Sequence, residues 1–361
     1  MSVIFQNPDE AVPDRQIFAQ DLALACQAEP LGFDSIWSVE HHFTDYTMCP
    51  DVLQFLTYMA GVTERISLGT MVCVLPWHDP LRVVEQVSLL DNLSQGRLIL
   101  GLGRGTGRIE FDGFRTEMAT ARKRFAESAE MILTALENGY ASYDGELVSQ
   151  PRVDIRPRPF ASMRGRTYAA AVSPESARIM AEMGVGILIV PQKPWSAVEE
   201  ELQDYRDVYR EANDAEPPPP LVAGWTFVDE SADRAETLAR KWIGAYWDTI
   251  VKHYEFDQPH LKNTPGYEHH GLIYDRLTAP GGMEKMEEFF VGLQLWGTPQ
   301  QVTEKIVELQ NRTWMDGFMG VFSYAGMPAD EAQRNMSLFA ARVMPELKAL
   351  APVVDRLGMA A

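Results

Sequence analysis

The sequence predicts an α/β fold in which parallel strands close into a barrel and a helix follows each strand. Two observations lead to this prediction. Apolar, strand-like segments alternate with segments of helical period over most of the 361 residues, and the strand-like segments number about eight. Alternation indicates a parallel sheet, and a count near eight favours a closed (β/α)8 barrel over an open, doubly wound sheet. We expect a single domain over residues 1–361, with its chemistry at the carboxyl ends of the strands.

The first half of the chain contains four predicted pairs of strand and helix. The third strand is apolar and rich in β-branched residues, which is typical of a strand buried on both faces of a parallel sheet. Asp79-Pro80 supplies the N-cap and the first-turn proline of the helix that follows. A hairpin or excursion is predicted after the fourth helix, at 141–159, with its turn at Tyr143-Asp144-Gly145. The strands are predicted at 3–5, 33–39, 66–75 and 97–102, and the helices at 16–28, 51–62, 79–93 and 121–138.

Four more strands are predicted in the second half, again with helices between them. Ser173-Pro174-Glu175 has the pattern of an N-cap and first turn, and Thr298-Pro299-Gln300-Gln301 that of a capping box. The strands are predicted at 166–172, 186–190, 221–228 and 315–324, and the helices at 173–184, 195–212, 232–253, 283–291, 298–311 and 329–350.

Residues 255–282, after the seventh strand and its helix, show neither helical nor strand period. A structureless stretch of this length inside a compact domain is usually a functional lid or a disordered insertion. Aromatic and apolar residues are too frequent here for simple disorder. We therefore predict a lid that closes over the site.

Composition excludes several classes of partner. The chain has 51 acidic and 32 basic residues, and a net charge of -19 repels nucleic acid and acidic membrane surfaces. No apolar run approaches the ~20 residues that cross a bilayer, and the N-terminus lacks the pattern of a secretion signal. Cys26, Cys49 and Cys73 are widely spaced and form no CxxC pair. These features predict a cytoplasmic protein with reduced cysteines and no nucleic-acid or membrane partner.

Two adjacent histidines, His41 and His42, follow the second predicted strand. Neighbouring residues of a strand point to opposite faces, so the pair cannot aim into one site while the strand persists. A shared metal is therefore not expected, and His269-His270 offers no ligand spacing either. A structural, hydrogen-bonded role remains the alternative for either histidine, although the end of a barrel strand is where catalytic groups lie.

A second group of residues suggests a binding site for a phosphomonoester. The sequence GLGRGTGR from Gly101 lets the backbone approach a ligand closely, but it lacks the helix of a dinucleotide fingerprint. The helix predicted to start at Ser173 offers free N–H groups to an anion, and Ser176 adds a hydroxyl. Arg104, with Arg122 or Arg124, can supply positive charge. Each arginine alone is more often a surface residue, but together they suggest one phosphomonoester.

Longer motifs extend over most of the chain. GFDSIWSVEHHF is followed by SLGTMVCVLPWHDPLRVVEQVSLLDNLSQGRLILGLGRG, by SPESARIMAEMG, and by WGTPQQVTEKI with FSYAGMP. This set closely resembles the bacterial-luciferase-like, flavin-dependent monooxygenase family, and the EHHF and LLDNLSQGRLILGLGRG blocks are specific to it.

The resemblance implies a TIM barrel, usually dimeric, that takes reduced FMN from a separate flavin reductase. Reduced flavin reacts there with O2 to give a 4a-hydroperoxide, and a histidine at the place of His41 handles protons beside it. The family's phosphate-binding positions correspond to Arg104, Arg122, Ser176 and the backbone of Glu175. Met71-Val72 stands where relatives have a non-proline cis peptide under the isoalloxazine, so Met71 is expected to contact the cofactor.

Two positions depart from the pattern of the family. Light-emitting alpha subunits carry a cysteine at the place of Gly103, so light emission is not inferred. Ile179 replaces a hydroxyl that helps to hold the phosphate. Four aromatic residues are predicted to wall an apolar substrate pocket, with core packing as the alternative: Phe43, Tyr46, Trp77 and Trp225.

The leading prediction is an FMN-dependent monooxygenase, a homodimer that oxygenates a small apolar or carbonyl-containing substrate with reduced FMN and O2. One alternative is an oxidoreductase that uses a deazaflavin coenzyme, because relatives bind it in a similar barrel. A second alternative is a flavin-binding partner subunit without catalysis of its own, against which the presence of His41 and Arg104 argues.

Overall fold

The strands pair side by side in a closed ring, which confirms the predicted barrel in this computed structural model of residues 1–170 and 174–350. Within that part of the chain, each strand of the ring is parallel to both of its neighbours, and the last strand pairs with the first. The ring consists of β1 (Ser2–Val3), β2 (Ser35–Ser38), β3 (Ser67–Thr70), β4 (Leu98–Gly103), β5 (Thr167–Ala170), β6 (Gly186–Ile189), β7 (Leu221–Val228) and β8 (Gly317–Val321).

Helices connect these strands on the outside of the ring. Their bounds are α1 Asp14–Gln27, α2 Val52–Val62, α3 Pro80–Leu93, α4 Arg108–Phe114, α5 Ala121–Asn138, α6 Pro174–Glu182, α7 Trp195–Asn213, α8 Ala232–Tyr254, α9 Glu268–Leu277, α10 Gly282–Leu293, α11 Pro299–Thr313, α12 Ala329–Arg342 and α13 Met344–Lys348. Among the helices described, none has the length and apolar character needed to cross a membrane.

Side-chain caps explain why several helices start where the sequence predicts. Asp79 accepts hydrogen bonds from the first N–H groups of α3, and Asp51 accepts one at the start of α2. Thr298 and Gln301 form both hydrogen bonds of the capping box at α11. Each cap satisfies a donor that the helix itself leaves without a partner. The predicted N-cap at Ser173 and the end of the fifth strand lie outside the described residues.

The floor of the barrel is a cluster of side chains from strands around the ring. Its buried members are Trp37, Met71, Tyr168, Leu188, Ala223 and Met319. A Cβ added to Gly69 on β3 would lie 2.2 Å from the Trp37 ring, so glycine is required for this packing. The interior is thus filled at this level, and a cavity opens beyond it toward the carboxyl ends of the strands.

Some elements differ from the predicted ones. The third strand is divided at the cis peptide Met71-Val72 into β3 and a short strand, Cys73–Val74, that pairs with β4. The predicted last helix is divided near Val343 into α12 and α13, because Pro345 cannot donate a backbone hydrogen bond. A short strand at Leu295–Gly297, which was not predicted, pairs with β7.

The prediction that no helix occurs between β4 and residue 121 is wrong, since α4 lies there. This helix has only seven residues, and its N-cap, Gly107, offers no side chain to hydrogen-bond the first turn. The usual sequence signals of a helix start are therefore missing. An antiparallel hairpin of Tyr140–Asp144 and Ser149–Asp154 follows α5 and begins one residue before the range predicted for the excursion.

The prediction that residues 255–282 lack regular structure is also wrong. A 3-10 turn at Leu261–Asn263 and helix α9 occupy this segment, and Gly282 begins α10. The sequence of α9 includes two histidines and a glycine, which have low helix propensity, so its pattern is weak. Burial of Leu261, Tyr267 and His270 against the barrel holds the segment instead.

Candidate active site

A cavity opens at the carboxyl ends of the barrel strands, where the sequence places the chemistry. Its walls are largely apolar and include residues at the ends of β2 to β8 and residues of α5, α6, α8, α9 and α10. Eight of the residues predicted for the site line this one cavity: His41, Tyr46, Met71, Trp77, Arg104, Arg122, Ser176 and Trp225.

Phe43, Glu175 and Arg124 do not line it. The backbone of Phe43 is left-handed, with φ of 65°, and its side chain turns outward, is 59% exposed and packs on Phe114. This is a correction to its predicted place in the pocket wall. The carboxylate of Glu175 pairs with Arg122 near the start of α6, and the contact of its backbone with a phosphate stays a prediction.

The imidazole of His41 is held by a buried carboxylate on α4. Nδ1 of His41 lies 2.9 Å from Oε1 of Glu110, whose side chain has no exposed surface. Because an ionised carboxylate only accepts hydrogen bonds, we assign the proton to Nδ1, which donates it to Glu110. The hydroxyl of Tyr254 lies 3.3 Å from Nε2 of His41. This tautomer leaves Nε2 as the acceptor at the cavity.

Glu110 remains ionised although it is buried. Burial acts to raise its pKa, but the imidazoles of His41 and His253 outweigh burial and lower the pKa to about 2. The backbone N–H of His42 also donates to Oε1, at 2.9 Å. Burial lowers the pKa of His253 below its ordinary value, which favours the neutral imidazole. A fixed negative charge therefore orients His41.

His42 belongs to a second histidine–carboxylate cluster. Its Nε2 donates to Oε1 of Glu40 at 3.1 Å, and Nε2 of His78 donates to the same oxygen at 2.6 Å. Burial acts to raise the pKa of Glu40, but the hydrogen bonds from His42 and His78 lower it overall. The two adjacent histidines thus face different carboxylates. The strand itself ends at Ser38, so the loop after it separates them.

Both clusters also bring possible metal ligands together. The donor atoms of His41, Glu110 and His253 lie within 4.8 Å of one another, as do those of Glu40, Cys73 and His78. Hydrogen bonds already occupy Oε1 of Glu110 and both oxygens of Glu40. The absence of a metal therefore stays a prediction. That prediction was based on the adjacent pairs His41-His42 and His269-His270, and not on these two clusters.

Two guanidinium groups converge at the other end of the cavity. Arg104 and Arg122 both donate to the carbonyl oxygen of Gly266, just before α9, at 2.7 and 3.1 Å. The Arg104 guanidinium lies 4.0 Å over the ring of Tyr267, whose hydroxyl donates to Gly105 at 2.9 Å. These contacts place the segment that was predicted as a lid directly beside the arginines.

His270 and Gly103 complete this region. His270, on α9, lines the cavity, and burial lowers its pKa to about 3, so it is neutral. A Cβ added to Gly103 would lie 2.1 Å from a methyl group of Val72, so even alanine or cysteine would displace that side chain. Ile179 also lines the cavity and offers no hydrogen-bonding group.

Sequence reasoning missed Glu110, His253, Tyr254 and His270. Glu110 lies on a short helix without a side-chain cap, and the other three lie more than two hundred residues from His41 in the chain. No local pattern connects residues so far apart. The one usable signal was the acidic residue Glu110 between the apolar residues Ile109 and Phe111, shortly after the glycine cluster that follows β4.

Comparisons with known proteins show which proteins this chain resembles. The chain is 25% identical over 352 residues to the alkanal monooxygenase alpha chain of the Kryptophanaron alfredi symbiont, covering 95% of this chain and 96% of that one. It is also similar to the crystal structure of monooxygenase RslO1 from Streptomyces bottropensis, with 25% identity, a TM-score of 0.80 and coverage of 96% and 98%.

Two more distant structures share the fold. The oxygenating constituent of 3,6-diketocamphane monooxygenase from Pseudomonas putida, in complex with FMN, is 20% identical with a TM-score of 0.72, covering 98% and 99%. The coenzyme F420-dependent tetrahydromethanopterin reductase of Methanopyrus kandleri is 20% identical with a TM-score of 0.66, covering 96% and 99%. The family model described as luciferase-like monooxygenase matches residues 1–314. The chain therefore belongs to the luciferase-like monooxygenase family.

Proposed function

We propose that this protein is an FMN-dependent monooxygenase that oxygenates a small apolar or carbonyl-containing substrate with reduced FMN and O2. One observation carries the proposal: a single, mostly apolar cavity has an oriented imidazole, His41, in its wall and two arginines, Arg104 and Arg122, at its other end. Such a cavity suits a ligand with a long aromatic body and a terminal phosphate.

The donors at the arginine end fit a phosphate. Arg104 and Arg122 share one carbonyl acceptor, and Nε of Arg122 is buried without a hydrogen-bond partner in the described residues. A phosphate offers several acceptor oxygens to such donors. Arg104, Arg122, Ser176 and the first N–H groups of α6 would hold it. Bound reduced FMN supplies two electrons to O2, so that one oxygen atom enters the substrate and the other leaves as water.

His41 would accept or return a proton at Nε2 beside the reacting groups. Its orientation is fixed before the ligand arrives, because Nδ1 is bonded to the charged Glu110. Met71 and Val72 lie at the floor of the cavity, where the ring system would pack. These residues position the reactants and handle a proton, whereas the redox chemistry belongs to the cofactor.

Residues 255–282 would act as the lid, and α9 is the longest helix within it. Tyr267 and His270 already lie against the cavity mouth, which supports a role in excluding water. When water is kept out of the cavity, oxygenation of the substrate is favoured over release of hydrogen peroxide, which wastes the reducing equivalents.

The substrate side of the cavity is aromatic. Tyr46, Trp77 and Trp225 line it, and the indole nitrogens of both tryptophans lack a hydrogen-bond partner in the residues described. An N–H donor in an apolar wall can bind a carbonyl oxygen of the substrate. This feature supports a carbonyl-containing substrate over a pure hydrocarbon.

We also propose a cytoplasmic homodimer that receives reduced FMN from a transient flavin reductase partner. Large apolar side chains on the outer faces of α2 and α3 are about half exposed, which supports an interface between two copies. The cysteines of the described structure are unpaired, which fits a reducing compartment.

A labelling experiment tests the proposed reaction. Reduced FMN, ¹⁸O₂ and the protein are mixed with a panel of long-chain aldehydes and cyclic ketones, and products are analysed by mass spectrometry. We expect one ¹⁸O atom per product molecule. His41→Gln should lower the ratio of product to hydrogen peroxide by about a hundredfold, while the exposed His269→Gln leaves it unchanged.

Three results would contradict the proposal. Retention of reduced deazaflavin with hydride transfer and no ¹⁸O incorporation would favour the deazaflavin oxidoreductase. Tight FMN binding without any oxygenated product across the panel would favour a non-catalytic partner subunit. An unchanged product ratio in His41→Gln would remove the role of His41.

A further inference from the structure

We propose that Glu110 and His253 form a proton path from His41 to a second cavity on the protein surface, separate from the mouth of the active site. The proposal rests on the proposed function, because it assigns to the path the exchange of the proton that His41 handles. Neither residue reaches the cavity that holds the reactants, so both are positioning residues that act through His41.

The path is a row of contacting polar groups. Nδ1 of His41 is 2.9 Å from Oε1 of Glu110, and Oε2 of Glu110 is 3.6 Å from Nε2 of His253. Nδ1 of His253 is 3.0 Å from the hydroxyl of Thr44. His41 lines the first cavity, while His253 and Thr44 line the second. The carboxylate of Glu110 thus lies between His41, which lines the first cavity, and His253, which lines the second.

The second cavity gives this row access to solvent. It has a volume of about 390 Å³, and no residue that lines it also lines the first cavity. Its rim includes the exposed side chains of Lys252 and Arg108. Water can therefore reach Thr44 without passing α9 or the cavity mouth.

Two buried atoms in the middle of the row lack hydrogen-bond partners within the part of the chain that the structure describes. They are Oε2 of Glu110 and Nε2 of His253, and they face each other. A buried polar atom without a partner is costly, so a purely structural arrangement would normally satisfy both. A Cβ on Gly107 would lie 2.4 Å from Oε2 of Glu110, so the glycine keeps this gap open. A small movement converts the contact into a hydrogen bond whenever a proton is present.

The surroundings of His253 favour an imidazole that accepts a proton and releases it again over one that stays protonated. Burial lowers the pKa of His253, so the neutral ring is available to accept a proton and then release it. The Tyr46 ring stacks on His253 at 4.4 Å between centroids, which keeps the imidazole in line with Glu110. The titratable and charged groups facing His253 are Glu110 from α4, His41, Asp45 and Tyr46 from the loop after β2, and Tyr254 from its own helix.

In this transfer, one proton enters the row of groups at His41 and one proton leaves it at His253. His41 accepts a proton at Nε2 from the reacting group and passes its Nδ1 proton to Glu110. Glu110 hands a proton to Nε2 of His253, and the proton on Nδ1 of His253 leaves toward Thr44 and water. The reverse sequence returns a proton to the cavity. Each group regains its original charge, so no co-reactant besides water is required.

A test in the protein without flavin isolates the path from the reaction. NMR measures the exchange of the His41 imidazole N–H with solvent in the wild-type protein, in His253→Gln and in the control His269→Gln. We expect His253→Gln to slow the exchange at least tenfold and His269→Gln to leave it unchanged. Thr44→Val should also slow it, and this variant removes only one hydroxyl should His253→Gln fail to fold. Equal exchange rates in all folded variants would overturn the proposal.

A second measurement follows turnover. In single-turnover reactions with reduced FMN and O2, His253→Gln should form product about tenfold more slowly, and added imidazole should restore the rate through the second cavity. Loss of rate without rescue, together with lower stability, would indicate a structural role and overturn the path. Stoichiometric Zn²⁺ binding that His253→Gln abolishes would instead identify a metal site and also overturn it. Failure of the wild-type protein to oxygenate any substrate would refute the proposed function, while the exchange result would stand.

Discussion

Buried carboxylates in this protein differ in charge according to the groups that face them. Glu110 is flanked by two imidazoles and has its pKa lowered to about 2. Asp21 on α1 has no cationic partner among residues 1–170 and 174–350, and burial raises its pKa to about 6 even though it accepts hydrogen bonds from Ser323 and from the N–H of Phe5. A buried carboxylate is thus ionised at rest where imidazoles face it, at the candidate site, and has a raised pKa elsewhere in the barrel.

Asp21 should make the stability of the protein depend on pH. Its folded pKa is raised above the value of 3.8 for an ordinary aspartate, so the folded state holds the proton more tightly. The associated stability is fully present below pH ~4 and is lost as pH rises through ~6, by about 3 kcal/mol at pH 8. In Asp21→Asn, the amide oxygen can accept from the N–H of Phe5 while the amide nitrogen donates to Oγ of Ser323. The pH-dependent loss should therefore vanish, and the variant should be the more stable one at pH 8.

Urea unfolding between pH 4 and pH 8 measures this effect in the wild-type protein, in Asp21→Asn and in a control, Asp204→Asn, at an exposed position of α7. The control should follow the wild-type curve. Parallel curves for the wild-type protein and Asp21→Asn over the whole range would contradict the assignment.

Among the elements, local chemistry explains which ones the sequence predicts. Helix α3 is predicted because Asp79 and Pro80 supply its cap and first turn, and these contacts form within one stretch of chain. Helices α4 and α9 are missed because their sequence patterns are weak: α4 has only seven residues, and α9 contains two histidines and a glycine. Helix α9 is stabilised by contacts with residues more than a hundred positions away, such as that between Tyr267 and Gly105. In such helices, tertiary packing overrides a weak helix propensity. These packing contacts cannot be read from a single sequence.

The anchoring of α9 by Tyr267 leads to a prediction about the lid. Tyr267→Ala removes a buried ring, its hydrogen bond to Gly105 and its contact with the Arg104 guanidinium. Truncation of a buried aromatic ring costs about 3–5 kcal/mol. The loss should fall mainly on this segment, so amide hydrogen exchange over residues 261–277 should become at least ~10-fold faster.

Leu272→Ala on the exposed face of the same helix is the matched control and should leave exchange nearly unchanged. Exchange in α5, which carries Arg122, should also remain as in the wild-type protein. Uniform acceleration across the whole molecule would show that Tyr267 supports global stability, and the local anchor would then be rejected.

For the whole molecule, the closed barrel explains why the site could be predicted in part. The ends of β2, β4 and β5 are distant in the chain, yet closure of the ring brings His41, Arg104 and Ser176 to one cavity. Positions that follow strands were therefore predictable. Glu110 and His253, which support His41 from outside the cavity, come from helices whose placement depends on packing, and strand pattern does not reveal them.

The outer surface of the barrel leads to the last prediction, on assembly. Tyr58 and Val62 on α2 and Leu89 and Leu93 on α3 are each about half exposed, and the two helices pack side by side. Apolar residues grouped on neighbouring helices are costly in water and are covered most simply by the same surface of a second copy. A negative charge there is costly to bury and adds repulsion between two chains that already carry net charges of -19.

The double variant Leu89→Glu/Leu93→Glu should therefore dissociate the dimer. Light scattering during size-exclusion chromatography should give about 40.6 kDa for this variant and twice that mass for the wild-type protein. Met283→Glu, at an exposed apolar position of α10 outside this surface, is the control and should remain dimeric. A wild-type protein that is monomeric at micromolar concentration, or a double variant that stays dimeric, would place the interface elsewhere or remove it. Because the charged positions lie on the outer helices, circular dichroism should show the same helix content in all three proteins, which separates dissociation from unfolding.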